Sequence, residues 1–230
     1  MRFLCLHGAG TNAEIFEIQS GGISYDLAKY GHTFKYYNGC MEAEVEPRTS
    51  PPSPALHTTD KIRKLKGLFN GPFYNHYPRD RAPGEYLAPA MKHVYDIIER
   101  EGPFDAVMGF SQGAALACAM IVHHAKTHQE PLFKVAVFIC GAAPFDSTGN
   151  EVIPDTSAEG EYPVKIPTAN IVGKQDELYP SSMHLSRLCE PRKMSFHDHG
   201  SKHMVPFDVE NTNAMVAAIE AAVQKALRGE

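Results

Sequence analysis

Apolar residues fall along this chain in short blocks, and the blocks alternate with stretches of helical pattern. Blocks occur at 2–6, 33–37, 106–110, 135–140, 168–172 and 193–197. They are short and rich in Val, Ile and Phe, the composition of strands covered by helices on both faces of a parallel sheet. Helical patterns occupy roughly 23–30, 85–100, 113–124, 181–188 and 209–227. In the second of these, Leu87, Met91, Val94, Tyr95 and Ile98 recur at the spacing of one apolar helix face. Strand and helix alternate without a repeat or long linker, which predicts an α/β fold with a mainly parallel sheet.

The block at 106–110 runs directly into Gly109-Phe110-Ser111-Gln112-Gly113, and small residues suited to a helix follow from Ala114 to Met120. Strand, tight turn and helix are the context in which G-x-S-x-G acts as a nucleophile elbow. The turn forces Ser111 into a strained backbone conformation, and side chains at 109 and 113 would collide with the neighbouring strand and helix. An elbow serine needs a base, an acid that orients the base, and oxyanion donors. In hydrolases built on this elbow the acid and then the histidine follow the serine along the chain.

Asp176 lies where the block 168–172 breaks at Gly173 into a polar loop, and His203 lies in the loop after 193–197, ahead of the last helix. Asp146, Asp155 and Glu177 compete for the acid, and His197 and His199 for the base. The triple His197, His199 and His203 also resembles a metal-ligand cluster, although no second acidic or cysteine cluster sits near it in sequence. His7 follows the block 2–6 in His7-Gly8-Ala9-Gly10 and reads as a buried histidine shaping that loop. A Ser-His-Asp hydrolase needs neither a metal nor an organic cofactor, and none is assigned.

Three segments together, Leu4–Asn12, Gly109–Gly113 and His197-x-His199-Gly200-x-x-His203-x-x-Pro206, resemble the FSH family of serine hydrolases. Its members are common in fungi and include stand-alone thioesterases that release chains from polyketide synthases. The chain is more distantly similar to the acyl-protein thioesterase and carboxylesterase group, which shares the Gly-Phe-Ser-Gln-Gly elbow. The resemblance spans nearly the whole chain. It implies an α/β-hydrolase fold, Ser111, Asp176 and His203 as the triad, and the N–H groups of Ala9 and Gln112 as the oxyanion hole. By analogy with larger hydrolases the first antiparallel strands are missing, leaving six parallel strands in the order 2-1-3-4-5-6. The implied reaction is cleavage of an acyl thioester, releasing an acyl or polyketide chain from an acyl carrier protein. The alternative is a general carboxylesterase for small or medium acyl esters. Intact Ser111, Asp176 and His203 argue against a catalytically silent binding module.

The 230 residues, 43% of them hydrophobic, suffice for one α/β-hydrolase domain over 1–230. A net charge of −5 leaves no footprint for nucleic acid. No apolar run reaches the length of a membrane span. Five cysteines without paired spacing make a reducing, cytoplasmic setting the default. A Pro-rich insertion at about 40–85 fails to read as regular structure, and its Phe69, Phe73, Tyr74 and Tyr77 suggest an ordered cap beside the serine. A second irregular stretch, 142–166, offers Phe145 as another rim of the pocket. The basic segment from Lys61 to Lys66, with Arg79 and Arg81, reads either as a solvated surface or as a docking patch for an acidic carrier protein.

Overall fold

A computed structural model describes residues 1–43 and 71–230. Its main sheet contains β1 (Arg2–Leu6), β2 (Thr33–Tyr37), β5 (Ala106–Phe110), β6 (Val135–Ile139), β7 (Thr168–Val172) and β8 (Met194–Asp198). The spatial order is β2-β1-β5-β6-β7-β8 and every pairing is parallel. Counted along the main sheet, this is the expected 2-1-3-4-5-6 arrangement of an α/β-hydrolase. The helices are α1 (Ala13–Gln19), α2 (Gly21–Ala28), α3 (Leu87–Glu101), α4 (Gln112–Ala125), α5 (Tyr179–Arg187) and α6 (Val209–Leu227).

Period-two alternation sends the strand side chains into two cores. Leu4, Leu6, Val107, Ala136 and Phe138 face one side, where Leu87, Val94 and Ile97 of α3 pack with Leu116 and Met120 of α4 and Leu185 of α5. Phe3, Cys5, Met108, Val137 and Ile139 face the other, against Phe16 of α1, Ile23 and Leu27 of α2, and Met215, Ile219 and Val223 of α6. The central strands β5, β6 and β7 are buried at every position, whereas the edges β2 and β8, richer in polar residues, are half-buried. Burying one such Leu or Ile contributes about 1.5–3 kcal/mol, so the two layers hold the strand ends in register.

Several boundaries differ from those expected. Helix α1 was not foreseen: only Ile15 and Phe16 of its seven residues are buried, too few to show periodicity, and its start is marked by Asn12, whose side chain accepts from the Ile15 N–H. The helix expected at 23–30 is α2, which ends before Gly31 at φ +80°. Strand β6 stops at Ile139 rather than 140 because Cys140 turns into a left-handed conformation, φ +46°. On α3 the buried face is Leu87, Ala90, Met91, Val94 and Ile97, with Tyr95 and Ile98 on its flank.

The segment expected as a cap is described only at its two ends. There β3 (Met41–Glu42) and β4 (Tyr74–Asn75) pair antiparallel, with Met41 opposite Asn75. The expectations for Phe69 and for Lys61 to Lys66 fall outside the described residues. Among the described residues, no helix is long and apolar enough to cross a membrane.

His7, at the end of β1, is fully buried. Its Nδ1 donates to the Gly8 carbonyl at 2.7 Å and its Nε2 accepts the Gly39 N–H at 2.9 Å. The ring stacks on that of His76 with centroids 4.7 Å apart. Burial lowers the pKa of His7 from 6.5 to about 4 and drives that of His76 well down. Both rings therefore stay neutral, and a proton on Nε2 of His7 would face the Gly39 N–H. Between pH 6.5 and about 4 the unfolded chain binds protons that these sites refuse, so stability falls as pH is lowered through that window. For His7 alone the full effect is on the order of 3 kcal/mol. Urea unfolding between pH 7 and 5 should show this loss, and His7→Gln should flatten the dependence. An unchanged slope in the variant would assign the loss to other groups.

Candidate active site

Ser111 joins β5 to α4 with φ +55° and ψ −116°, a strained conformation for a residue with a side chain. Close packing explains the two glycines around it. A Cβ on Gly109 would lie 2.5 Å from the Ala114 nitrogen, and one on Gly113 would lie 2.2 Å from the Leu6 carbonyl oxygen. The Ser111 N–H donates to the Ile139 carbonyl, and its own carbonyl accepts from Ala114, Ala115 and Ala142. The hydroxyl thus stands at the C-terminal edge of the sheet, beside the N-terminus of α4, the positive end of that helix dipole.

The loops after β7 and β8 meet the hydroxyl in one hydrogen-bonded line. His203 Nε2 lies 3.0 Å from Ser111 Oγ, and His203 Nδ1 lies 2.7 Å from Asp176 Oδ2. Asp176 is buried where the turn from Gly173 closes, and its Oδ1 accepts the Leu178 N–H at 2.8 Å. Burial pushes its carboxyl up, but the bonds from His203, Leu178 and the Cys140 thiol outweigh burial and hold it below the ordinary carboxylate value. An ionised carboxylate only accepts hydrogen bonds, so Nδ1 carries the ring proton and Nε2 presents its lone pair to the hydroxyl. Phe110 packs on the same ring, centroids 4.9 Å apart.

The loop after β1 forms the opposite wall. A Cβ on Gly8 would come within 3.2 Å of the Ser111 Cβ. The Gly10 N–H is already used by the Tyr74 carbonyl and the Asn75 side chain, at 3.0 and 2.8 Å, and Tyr74 N–H donates back to Thr11. Among the described residues, no hydrogen bond uses the N–H of Ala9 or of Gln112. The Gln112 side chain, by contrast, is fully engaged: Oε1 accepts the His76 N–H at 2.8 Å and Nε2 donates to the Tyr77 carbonyl at 2.9 Å. The roles of Asn75, His76 and the Gln112 amide were not apparent in the sequence, because their partners are distant along the chain.

The remaining candidates have other partners. His197 Nε2 faces Asn211 at 3.1 Å, and His199 Nε2 faces the Cys140 sulfur at 3.3 Å. Asp146 accepts from Thr148 and Glu151, Asp155 pairs with Ser157 and Arg187, and Glu177 interacts with the Arg79 guanidinium. The three histidines of the 197–203 loop therefore diverge. Among the described residues, the group of His, Cys, Asp and Glu close enough to hold a metal ion is Cys140, Asp176 and His203, and the last two already bond to each other. Of the aromatic candidates, Phe73 is buried with Ile15 and Ala43, and Tyr77 lies within the core. Tyr74 and Phe145 are half-buried, Tyr74 in the strand bonded to the Gly10 loop and Phe145 packed on the core edge.

Known proteins bear on this arrangement. The family described as "Serine hydrolase (FSH1)" matches residues 1–215. An "Esterase FPY3" of Fusarium mangiferae is 34% identical over the whole of both chains, and a "Hydrolase phiM" of Talaromyces stipitatus is 30% identical over 96% of this chain and 86% of its own. Among solved structures, SOBER1 of Arabidopsis thaliana superposes with a TM-score of 0.57 at 17% identity, covering 97% of this chain and 99% of its own. A carboxylesterase from Mesorhizobium loti gives 0.57 at 15% identity, over 100% and 88%. These likenesses support the fold, while the family match supports the chemistry. The chain belongs to the serine hydrolase (FSH1) family and is a serine hydrolase of the α/β-hydrolase fold.

Proposed function

We propose that Ser111, His203 and Asp176 form the catalytic triad of this hydrolase and that it cleaves acyl esters or thioesters through an acyl-enzyme. The carrying observation is the single imidazole whose Nε2 meets the serine hydroxyl while its Nδ1 meets a buried carboxylate. His203 takes the Ser111 proton as the oxygen attacks the acyl carbon, and Asp176 stabilises the resulting imidazolium. The oxyanion is received by the N–H groups of Ala9 and Gln112, and losing one such donor costs about 3–4 kcal/mol of barrier. His203 then protonates the departing alkoxide or thiolate. Water, deprotonated by His203, attacks the acyl-enzyme, releasing the acid and restoring Ser111.

The narrower reading is release of an acyl or polyketide chain from an acyl carrier protein. Resemblance to a family that includes polyketide-releasing thioesterases supports it, as does the basic segment from Lys61 to Lys66. The alternative, hydrolysis of small or medium acyl esters, draws support from relatives named as esterases. Tyr74 and Phe145 would border the acyl group, with Phe73 and Tyr77 holding that wall from behind. Among the described residues the five cysteines form no disulfide, which supports a reducing, cytoplasmic setting.

Ser111→Ala should abolish hydrolysis without unfolding the chain, and a fluorophosphonate should label the wild type at Ser111. Labelling that survives in the variant would remove Ser111 as nucleophile. Asp176→Asn should lower kcat by about 10⁴-fold, because the amide favours the wrong imidazole tautomer. His203→Ala should be more severe, and steady-state kinetics distinguish these outcomes from mild losses. Matched acyl thioesters and oxygen esters will separate the two substrate readings. Charge reversal at Arg63, Lys64 and Lys66 should slow turnover of carrier-bound substrate and weaken its salt dependence, while sparing small thioesters. Equal effects on both substrates would count against carrier docking.

A further inference from the structure

The end of β6 carries a feature that the proposed reaction does not use. Among the described residues, Cys140 and Ser111 are the two non-glycine residues with positive φ. Left-handed backbone costs a residue with a side chain roughly 1–2 kcal/mol. The Cys140 N–H donates to the Ile171 carbonyl on β7, so this residue sits between the strand that ends in Ser111 and the strand that leads to Asp176. Its buried sulfur lies 3.3 Å from His199 Nε2, and its thiol donates to the Met204 carbonyl at 3.5 Å. The sulfur, an Asp176 oxygen and a His203 ring nitrogen lie within 4.8 Å of one another.

The tautomer of His199 follows from its backbone contact. The Ser201 N–H donates to His199 Nδ1 at 3.1 Å, so that nitrogen holds a lone pair. In the neutral ring Nε2 then carries the hydrogen and donates it to the Cys140 sulfur. The thiol proton is directed away from His199, where the Met204 carbonyl and the Asp176 carboxylate are both in reach, and the charged carboxylate is the stronger acceptor. The space for this contact is provided by Gly173, where a Cβ would lie 2.5 Å from His199 Cε1 and 3.0 Å from its Nε2. Burial lowers the pKa of His199 despite the opposing influence of Asp198 and Asp176, with His197 adding to the lowering, so the ring stays neutral.

We infer that Cys140 is a positioning residue for the reaction: oriented by His199, its thiol donates to the Asp176 carboxylate and fixes the plane in which that carboxylate grips His203. The inference rests on the assignment of Ser111, His203 and Asp176 as the triad. It also accounts for the backbone strain, because left-handed geometry turns the side chain at 140 off the strand and toward Asp176.

The test compares Cys140→Ala, Cys140→Ser and His199→Phe in steady-state hydrolysis over pH, with melting temperature measured in parallel. Asp176 is faced by His203, Cys140 and the Leu178 N–H, and His203 by Asp176 and Ser111. Removing the thiol leaves the carboxylate charge less dispersed. The imidazolium is then held more tightly, and the acid limb of kcat/KM moves to higher pH. Cys140→Ala should lower kcat about tenfold, the fold-change expected for losing one hydrogen bond to a charged group, with KM little changed. Cys140→Ser keeps a donor and should return both the rate and the limb toward wild type. His199→Phe fills the space but no longer orients the thiol, and should shift the limb in the same direction by less. It decides the matter if Cys140→Ala does not fold. Unshifted limbs in both Cys140→Ala and His199→Phe, or a shift in Cys140→Ser as large as that in alanine, would overturn the inference. Full activity in Ser111→Ala or Asp176→Asn would instead overturn the triad itself, so the two failures are distinguishable.

Discussion

The left-handed backbone at Ser111 is the constraint on which the site depends. It exposes a hydroxyl at the sheet edge only while β5 stays straight and α4 starts at once. The cost of that conformation is offset by burial on both sides: β5 is covered on both faces, and every residue of α4 from Gln112 to Val122 is buried. Small residues make this possible, because Ala-rich α4 lies close to the sheet and Gly113 lets it touch the end of β1. The strain is thus supported by the centre of the fold and not by a surface loop.

A second tie joins the elbow to the segment that returns from residue 71. The Gln112 side chain holds the backbone of His76 and Tyr77, while Tyr74 and Asn75 hold Gly10. The Ser111 elbow, the Gly8–Gly10 loop and β4 are therefore one hydrogen-bonded unit. Engagement of its N–H by β4 leaves Gly10 no free donor toward the serine.

The sheet and the elbow were legible because their signals are local. Each strand is a short apolar block, and Gly109 and Gly113 flank Ser111 within five residues. Asp176 and His203 stand out as candidates because each sits in a polar loop past a strand, and the fold brings both into one hydrogen-bonded line with Ser111. Helix α1 was not legible, since two buried residues make no period. Nor was the Gln112 clamp, whose partners lie 36 and 35 residues away. The contrast is sharpest in the loop from His197 to His203. In the sequence His197 and His199 stand as competitors of His203, whereas the fold sends one ring to Asn211, one to Cys140 and one to Ser111. Cys140 itself read as the last residue of a strand, because nothing in an apolar block marks the residue at which the backbone changes hand.

The antiparallel pairing of Met41 with Asn75 has a consequence for how β4 is held. Residues 41–42 and 74–75 lie side by side, and β4 is fastened to the Gly10–Thr11 loop by its own backbone. A closed loop is penalised only weakly for extra length, about 0.6 kcal/mol per doubling. The register of β4 against Thr11 is held by the bridge from Thr11 to Tyr74, so extra length between the two strands adds little strain to it. The pairing of β3 with β4 is thus a fixed point beside the Ser111 elbow, set by its own hydrogen bonds and not by the length of chain between the two strands.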